Sequence, residues 1–307
     1  MNPGMSSDVY LSVLIPVYNQ DVSRLLEELH RQALELSGGT GVEILVLEDG
    51  STEKYSNRNT ADRLSTVRYE ESAENRGRAA TRNTLIEQAG GACLLFLDAD
   101  MLPDRDDFLD RYIQHARAGG EILCGGISYT RHIPSGREYG FYLYKSRHTE
   151  ALPAAVRNKA PWRYLFTSNI MVRRDIVRSV RFNRNFTGYG FEDIEWGIRL
   201  ARLYTVEHID NSCSHTGVMD KKQVFGKMRE SITNFALLVH LHPEKTVHFG
   251  AVRVAGLLQL LPGFLLRGLD TLLSVLFDRI AWNPLLLPVF QLDKAVLLAL
   301  ELKKNND

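Results

Sequence analysis

Cysteine is scarce in this chain: three in 307 residues, Cys93, Cys124 and Cys213. They are widely spaced and form no metal-finger pattern. Cys93 and Cys124 sit in apolar, strand-like runs and read as reduced core residues, which fits a cytoplasmic setting. An excess of charge of either sign is also missing, because Lys+Arg and Asp+Glu both number 37. Bulk electrostatics therefore give no support to nucleic-acid binding. The N-terminus, MNPGMSSDVYLS, has no basic region leading into an apolar stretch, so no secretory signal is visible. Internal repeats and low-complexity tracts are absent. So is a clean membrane-spanning run, which needs about 20 mostly apolar residues. Val252 to Phe277 is leucine-rich but interrupted by Gln259, Pro262, Arg267 and Asp270. Ala281 to Leu300 is interrupted by Asn283, Pro284, Pro288 and Asp293.

What is present centres on LLFLDADM, Leu94 to Met101. A short apolar run with Gly90 and Gly91 before it and Pro103 after it predicts a buried strand of a parallel sheet. Two carboxylates, Asp98 and Asp100, at the mouth of such a strand are costly unless something compensates them. A divalent metal would do so, since carboxylate oxygens suit Mg2+ or Mn2+, which also bind phosphate oxygens. The carboxyl end of a parallel strand is also where α/β sheets bind ligands. The other reading is that both aspartates only cap the turn into a helix beginning near Asp106.

Around this stretch, strands alternate with helices. Leu11 to Val17 reads as a strand ended by Pro16, and Asp21 can cap a helix from about Val22 to Leu36 that Gly38 and Gly39 stop. Val42 to Leu47 is a second strand, ended by Glu48 to Ser51. Residues 53 to 63 are weakly helical, Thr66 to Tyr69 is a short strand, and Arg76 to Ala89 is a helix. This alternation predicts a mainly parallel sheet with helices on both faces. A helix at Asp106 to Ala118, strands at Glu121 to Cys124 and Ser168 to Val172, a helix at Phe191 to Leu203, a strand at Thr205 to Ile209 and one long helix at Lys221 to His242 complete the pattern. Between about 128 and 165 lies an aromatic and basic insert with a helix near Tyr139 to His148. The expected organisation is one domain over residues 1–245, with that insert, and an apolar helical region over 246–307. Those last helices either lie in a membrane interface or pack onto the domain or another subunit.

Five motifs stand in order: SVLIPVYN at Ser12 to Asn19, LEDGS at Leu47 to Ser51, NRGRAATRN at Asn75 to Asn83, LDAD at Leu97 to Asp100, and GYGFEDIEWGIRL at Gly188 to Leu200. Each is weak alone. Together, over about Leu11 to His215, the chain resembles the family 2 glycosyltransferases. The resemblance implies an α/β chain with the A-type glycosyltransferase fold, a mainly parallel central sheet with flanking helices, here with a C-terminal helical appendage. It also implies a metal-dependent, inverting transfer of a sugar from a nucleotide-sugar, by family habit a UDP-sugar, to a hydroxyl of a glycan or lipid-linked glycan. Mn2+ or Mg2+ would be the cofactor. The apolar tail and the insert would suit an acceptor presented at the inner face of the membrane, as in cell-surface polysaccharide assembly, with the protein cytoplasmic and peripheral there.

Site roles follow from the same resemblance. Pro16 and Tyr18 would border the base, Tyr18 by stacking or merely by packing. Asp49 would accept a hydrogen bond from the base, or cap its Asp-Gly-Ser turn. Arg78, near a helix N-terminus, would contact the donor. Arg82, four residues on, would support the site or face solvent, and Asn75, Gly77 and Asn83 would shape the backbone. Asp98 would contact the ribose or sugar, and Asp100 the metal, with His215 of CSHTG completing the metal site and His208 a weaker candidate. Inversion by single displacement needs a general base; the family places it at the aspartate of the acid pair, here Asp193. Glu192 would hydrogen-bond the acceptor or donor sugar. Alternatively, both acids only complement the helix dipole. Trp196 would form part of the acceptor platform or of the core. Tyr189 and Phe191 replace the Gly-Trp-Gly pattern of galactosyltransferase-type segments, which leaves the sugar open. Two rival functions rank lower. A non-catalytic assembly subunit with a nucleotide pocket is disfavoured because Asp98, Asp100, Glu192 and Asp193 are all present. A nucleotidyltransferase is disfavoured because PVYNQD stands where a glycine-rich basic loop belongs.

Overall fold

The computed structural model describes residues 9–36 and 40–304. Gly38 and Gly39, expected to stop the first helix, lie outside those residues, as does most of the N-terminal stretch read for a leader. The alternation is present: β1 (Val9–Val17), α1 (Ser23–Glu35), β2 (Gly41–Asp49), α2 (Asn57–Ala61), β3 (Val67–Ser72), α3 (Arg78–Gln88) and β4 (Cys93–Leu97). Next come β5 (Met101–Pro103), α4 (Phe108–Arg117), β6 (Ile122–Cys124), β7 (Ile127–Ser128), α5 (Gly140–Thr149) and α6 (Ala154–Arg157). Then follow β8 (Asn169–Arg173), α7 (Arg174–Ser179), α8 (Glu192–Ala201), β9 (Val206–His208) and β10 (Cys213–His215). The remaining helices are α9 (Lys221–Glu230), α10 (Ile232–Leu241), α11 (Pro243–Thr246), α12 (Gly250–Leu258), α13 (Gly263–Arg279) and α14 (Asn283–Lys304).

The chain divides into two compact units. The first comprises Met1–Ile133, Glu150–Arg184 and Trp196–Gly217. It holds a seven-stranded sheet ordered β3-β2-β1-β4-β8-β6-β9. β8 runs antiparallel to both its neighbours, and the other pairs are parallel. Side chains of a strand alternate between faces. Leu11, Val13 and Ile15 therefore join one core with Leu25, Leu26 and Leu29 of α1 and Phe108 and Leu109 of α4. Leu14, Leu45, Leu94 and Phe96 join the other, with Leu85 and Ile86 of α3. Burial on both faces is why these strands read as continuous apolar runs.

The strand expected over the apolar run Cys93 to Leu97 is present as β4, and Met101, beyond the two aspartates, opens β5 of a separate three-stranded sheet, β5-β10-β7. Two expectations need correction. Pro16 does not end β1, which continues to Val17. It lies beyond Leu14, the last residue β1 pairs with β4, so its missing N–H is tolerated. The long helix expected over Lys221 to His242 is two helices joined at Ser231, whose hydroxyl donates to the Met228 carbonyl and competes locally with the helix ladder.

The second unit comprises Pro134–Thr149, Asn185–Glu195 and Val218–Asp307. An Asp220–Gln223 capping box starts α9. Phe141 of α5 meets Phe277 of α13 and Phe290 of α14 edge-on. Arg229 of α9 pairs with both Asp270 of α13 and Asp293 of α14.

Candidate active site

In the first unit, the carboxyl ends of β1, β2 and β4 bring together Tyr18, Asp49 and Asp98. Tyr18 is 49% exposed, so its ring face is available to a ligand, whereas Pro16 is half-buried within β1. Asp49 is buried, and its carboxylate accepts the Arg76 N–H at 3.0 Å and the Gly77 N–H at 2.9 Å. It therefore fixes the turn that leads into α3. Gly50 permits this turn, since a Cβ there would lie 2.5 Å from the Asn75 nitrogen and its φ is +66°. Arg78 is the exposed first residue of α3. Arg82, one turn on, does not face solvent. It is 1% exposed, and its Nη2 donates to Asp98 Oδ1 at 2.9 Å. Burial pushes the Asp98 carboxyl up, but the charges of Arg82 and Arg78, the Arg82 hydrogen bond and His215 together hold it below the usual range.

Asp100 is placed by the small sheet. β10 runs antiparallel to β5 with His215 opposite Met101, next to Asp100. His215 Nε2 lies 3.3 Å from Asp100 Oδ2. The Asp100 carbonyl accepts both the N–H and the hydroxyl of Thr216, at 2.8 and 2.9 Å. Gly217 leaves the carboxylate its room, because a Cβ there would stand 2.2 Å from Asp100 Oδ2. Asp104 ties this sheet together: its two oxygens accept the hydroxyls of Ser214 and Ser212, each at 2.6 Å. Asp104, Gly217 and the two serines escaped the sequence reading, although Ser212-x-Ser214 preceding His215 was a visible alternation.

One carboxylate and one imidazole offer a hard oxygen donor and a borderline nitrogen donor. Mg2+ or Mn2+ typically completes such a set with waters and substrate phosphate oxygens, so Asp100 and His215 fit a catalytic ion. Among the described residues no group of three or more His, Cys, Asp or Glu forms a closed metal cage. His208 is elsewhere. It is buried, with Nδ1 2.6 Å from Arg157 Nη1 and Nε2 2.9 Å from the Pro161 carbonyl, and burial pushes its pKa down to about 4. Trp196 is fully buried against Phe96 and Phe182, and its indole N–H donates to the Val180 carbonyl at 2.7 Å. A ring with no exposed face offers nothing to an acceptor, so Trp196 belongs to the core.

Glu192 and Asp193 begin α8 and belong to the second unit, Glu192 buried and Asp193 half-buried. The Phe191 carbonyl accepts the Glu195 N–H at 3.0 Å, which makes Phe191 the residue that opens the helix.

A family model described as "Glycosyl transferase family 2" matches residues 12–181. Glycosyltransferase AglE of Haloferax volcanii is 32% identical over 181 residues, covering 56% of this chain and 55% of that protein. The chain thus spans only about half the length of that relative. Mannosyltransferase PcManGT from Pyrobaculum calidifontis, solved with GDP-Man and Mn2+, superposes with a TM-score of 0.55 at 17% identity, over 97% of this chain and 88% of that one. S. aureus TarS 1-349, solved with UDP-GlcNAc, gives a TM-score of 0.52 at 15% identity, over 97% and 92%. At these identities the likeness is one of fold, the A-type glycosyltransferase arrangement.

Proposed function

This chain belongs to glycosyl transferase family 2, and we propose that it is a metal-dependent, inverting glycosyltransferase that moves a sugar from a nucleotide-sugar, a UDP-sugar in the first instance, to a hydroxyl of a glycan or lipid-linked glycan. The observation that carries this reading is the turn after β4: Asp98 held by buried Arg82, and Asp100 beside His215. A neighbour of the same fold holds GDP-Man with Mn2+ and another holds UDP-GlcNAc, which supports the donor class and a divalent ion.

In this reading Tyr18 stacks on the base and Asp49 shapes the edge of its pocket with whatever acceptor capacity its two backbone bonds leave. Arg78, at the start of α3, attracts the diphosphate, and Asp98 contacts the ribose or sugar. Asp100 and His215 would hold Mn2+ or Mg2+, and the ion would supply charge neutralisation for the departing diphosphate. The acceptor oxygen attacks the anomeric carbon from the face opposite the leaving group. The bond to the diphosphate oxygen breaks, Asp193 takes the hydroxyl proton, and the product has inverted configuration. Glu192 hydrogen-bonds a sugar hydroxyl. The role of the acid pair is supported by its place in the motif order and at a helix start.

The acceptor is set at a membrane surface by the C-terminal helices. Leu257 of α12, Leu260 in the connection after it, Phe264 of α13 and Trp282 just before α14 are each at least 66% exposed. Among the described residues no helix is long and apolar enough to cross a membrane, which fits interfacial binding. Flotation with phosphatidylglycerol vesicles tests this part; Leu260→Glu with Phe264→Glu should abolish binding, and unchanged flotation refutes it.

The main test is turnover and binding across a panel of UDP-, GDP- and dTDP-sugars, with Mn2+ or Mg2+ and then chelator, for wild type, Asp100→Ala and Asp193→Asn. Metal-dependent use of one donor, lost in Asp100→Ala, supports the reading. Failure to bind any donor with any metal overturns it.

A further inference from the structure

We propose that helices α9, α10 and α14 hold the Gly188–Phe191 turn in a left-handed conformation that it would not adopt alone, and that Asn234, Phe235 and Lys294 are thereby positioning residues for the Glu192–Asp193 pair. The inference rests on that pair being the proton-accepting centre of transfer. All of these residues lie beyond residue 181, where the family match ends.

The turn is unusual in its backbone. Gly188, Gly190 and Phe191 have φ of +77°, +86° and +70°. Two glycines bear this without cost. A phenylalanine does not, because its Cβ crowds the following carbonyl, and such a conformation persists only where the surroundings impose it. Phe191 is also the residue whose carbonyl starts the α8 hydrogen-bond ladder, at Glu195 N–H. Helix-opening positions ordinarily carry Ser, Thr, Asp or Asn, whose side-chain oxygens cap the first amides. Phenylalanine has no such oxygen. Its presence therefore has another purpose, and its surroundings supply one.

The Phe191 ring lies flat on Phe235 of α10, with centroids 4.5 Å apart and planes 2° from parallel. Lys294 Nζ of α14 sits 4.9 Å from the Phe191 centroid and 4.8 Å from that of Phe235, so one cation serves both rings. Asn234 Nδ2 donates to the Gly190 carbonyl at 2.9 Å. Lys227 Nζ of α9 lies 4.9 Å from the Tyr189 centroid. Three helices thus grip three consecutive residues. Glu192 and Asp193 follow directly, so the φ of Phe191 sets the direction in which the first turn of α8 departs. Were Phe191 to relax to negative φ, both carboxylates would swing with that turn. The C-terminal helices are on this view part of the catalytic apparatus as well as a surface.

Two substitutions at one position separate imposed conformation from simple packing. Phe191→Ala and Phe191→Gly both remove the ring, but only alanine keeps the penalty for positive φ. Amide exchange of the α8 first turn, read in the full chain by mass spectrometry, should speed about tenfold in Phe191→Ala and stay close to wild type in Phe191→Gly. Turnover, with whichever donor of the panel is active, should fall in the same order, while Mn2+ affinity is unchanged in both. Lys294→Met keeps the aliphatic stem and removes the cation; it should speed the same amides several-fold. Equal behaviour of the alanine and glycine variants, or wild-type exchange in Phe191→Ala and Lys294→Met, overturns the proposal. Asp193→Asn is the separate control: wild-type turnover there removes the acid-pair role, while the exchange comparison still decides whether the turn is held.

Discussion

The buried pair between Arg82 and Asp98 should respond asymmetrically to loss of either partner. Arg82 is 1% exposed and the Asp98 side chain 24%, with 2.9 Å between Nη2 and Oδ1. If Asp98 is removed, Arg82 loses that carboxylate but keeps its charge in a buried place, because a guanidinium cannot shed its proton. The Phe182 ring, 5.8 Å away, continues to face the cation. If Arg82 is removed instead, Asp98 can take up a proton or lean towards water, and Arg78 still acts on it. Asp98→Ala should therefore cost up to about 3–5 kcal/mol, the range for breaking a buried ion pair from its carboxylate side. Arg82→Met, which keeps most of the packing, should cost about 1–2 kcal/mol once the partial exposure of Asp98 is discounted. Urea denaturation of the full chain in EDTA measures both without a contribution from bound metal. Because the Asp98 carboxyl is held below its ordinary value, the stabilisation that Arg82 lends is complete above about pH 4 and is lost as pH falls through the lowered native value. The gap between wild type and Arg82→Met should narrow there. If Arg82→Met costs as much as Asp98→Ala, the reasoning from burial and protonation is wrong.

Two further outcomes follow from single contacts. In Gly217→Ala the new Cβ would stand 2.2 Å from Asp100 Oδ2 and 3.2 Å from His215 Cε1, so the carboxylate must turn away. Mn2+ affinity, followed by electron paramagnetic resonance, should drop about 10–100-fold, and an unchanged affinity would show that Asp100 does not hold the ion. Asp293 is 0% exposed and shares Arg229 with Asp270. Its Oδ1 has no hydrogen-bond partner among the described residues. Burial pushes its pKa up to about 7, against the pull of Arg229 and with the help of Asp270. The native state then keeps a proton that the unfolded chain releases near pH 4, so stability should fall by up to roughly 4 kcal/mol as pH rises from about 4 to about 7. Asp293→Asn should remove that slope and be the more stable protein at pH 8; a variant less stable than wild type at pH 8 contradicts this.

What was legible in the sequence was what depends on a residue's own run of neighbours. β1, β2 and β4 are covered on both faces, so their apolar runs announce them, and the acids that end them mark the ligand edge of the sheet. What stayed hidden depends on a distant partner. β5, β7 and β10 have three, two and three residues, too short for any periodicity, and exist because they pair with one another. Yet this sheet sets His215 beside Asp100, a placement that only the β5–β10 register shows. His208 and His215 each end a three-residue strand, and only their sheets distinguish them: β9 joins the large sheet, where Arg157 occupies His208, and β10 joins the small one. The sequence supports two readings each for Arg82 and Trp196 for the same reason. A helix shows which of its faces is apolar, but a buried arginine is tolerated only where a carboxylate waits, and Asp98 is sixteen positions away on another element. The general rule is that the chemistry-bearing residues were visible by type, whereas the residues that hold them became visible only through contacts across the fold. Phe191 is the limiting case. As one letter in an apolar segment it signals nothing, and its positive φ has meaning only once Phe235 and Lys294, 44 and 103 positions further on, lie against it.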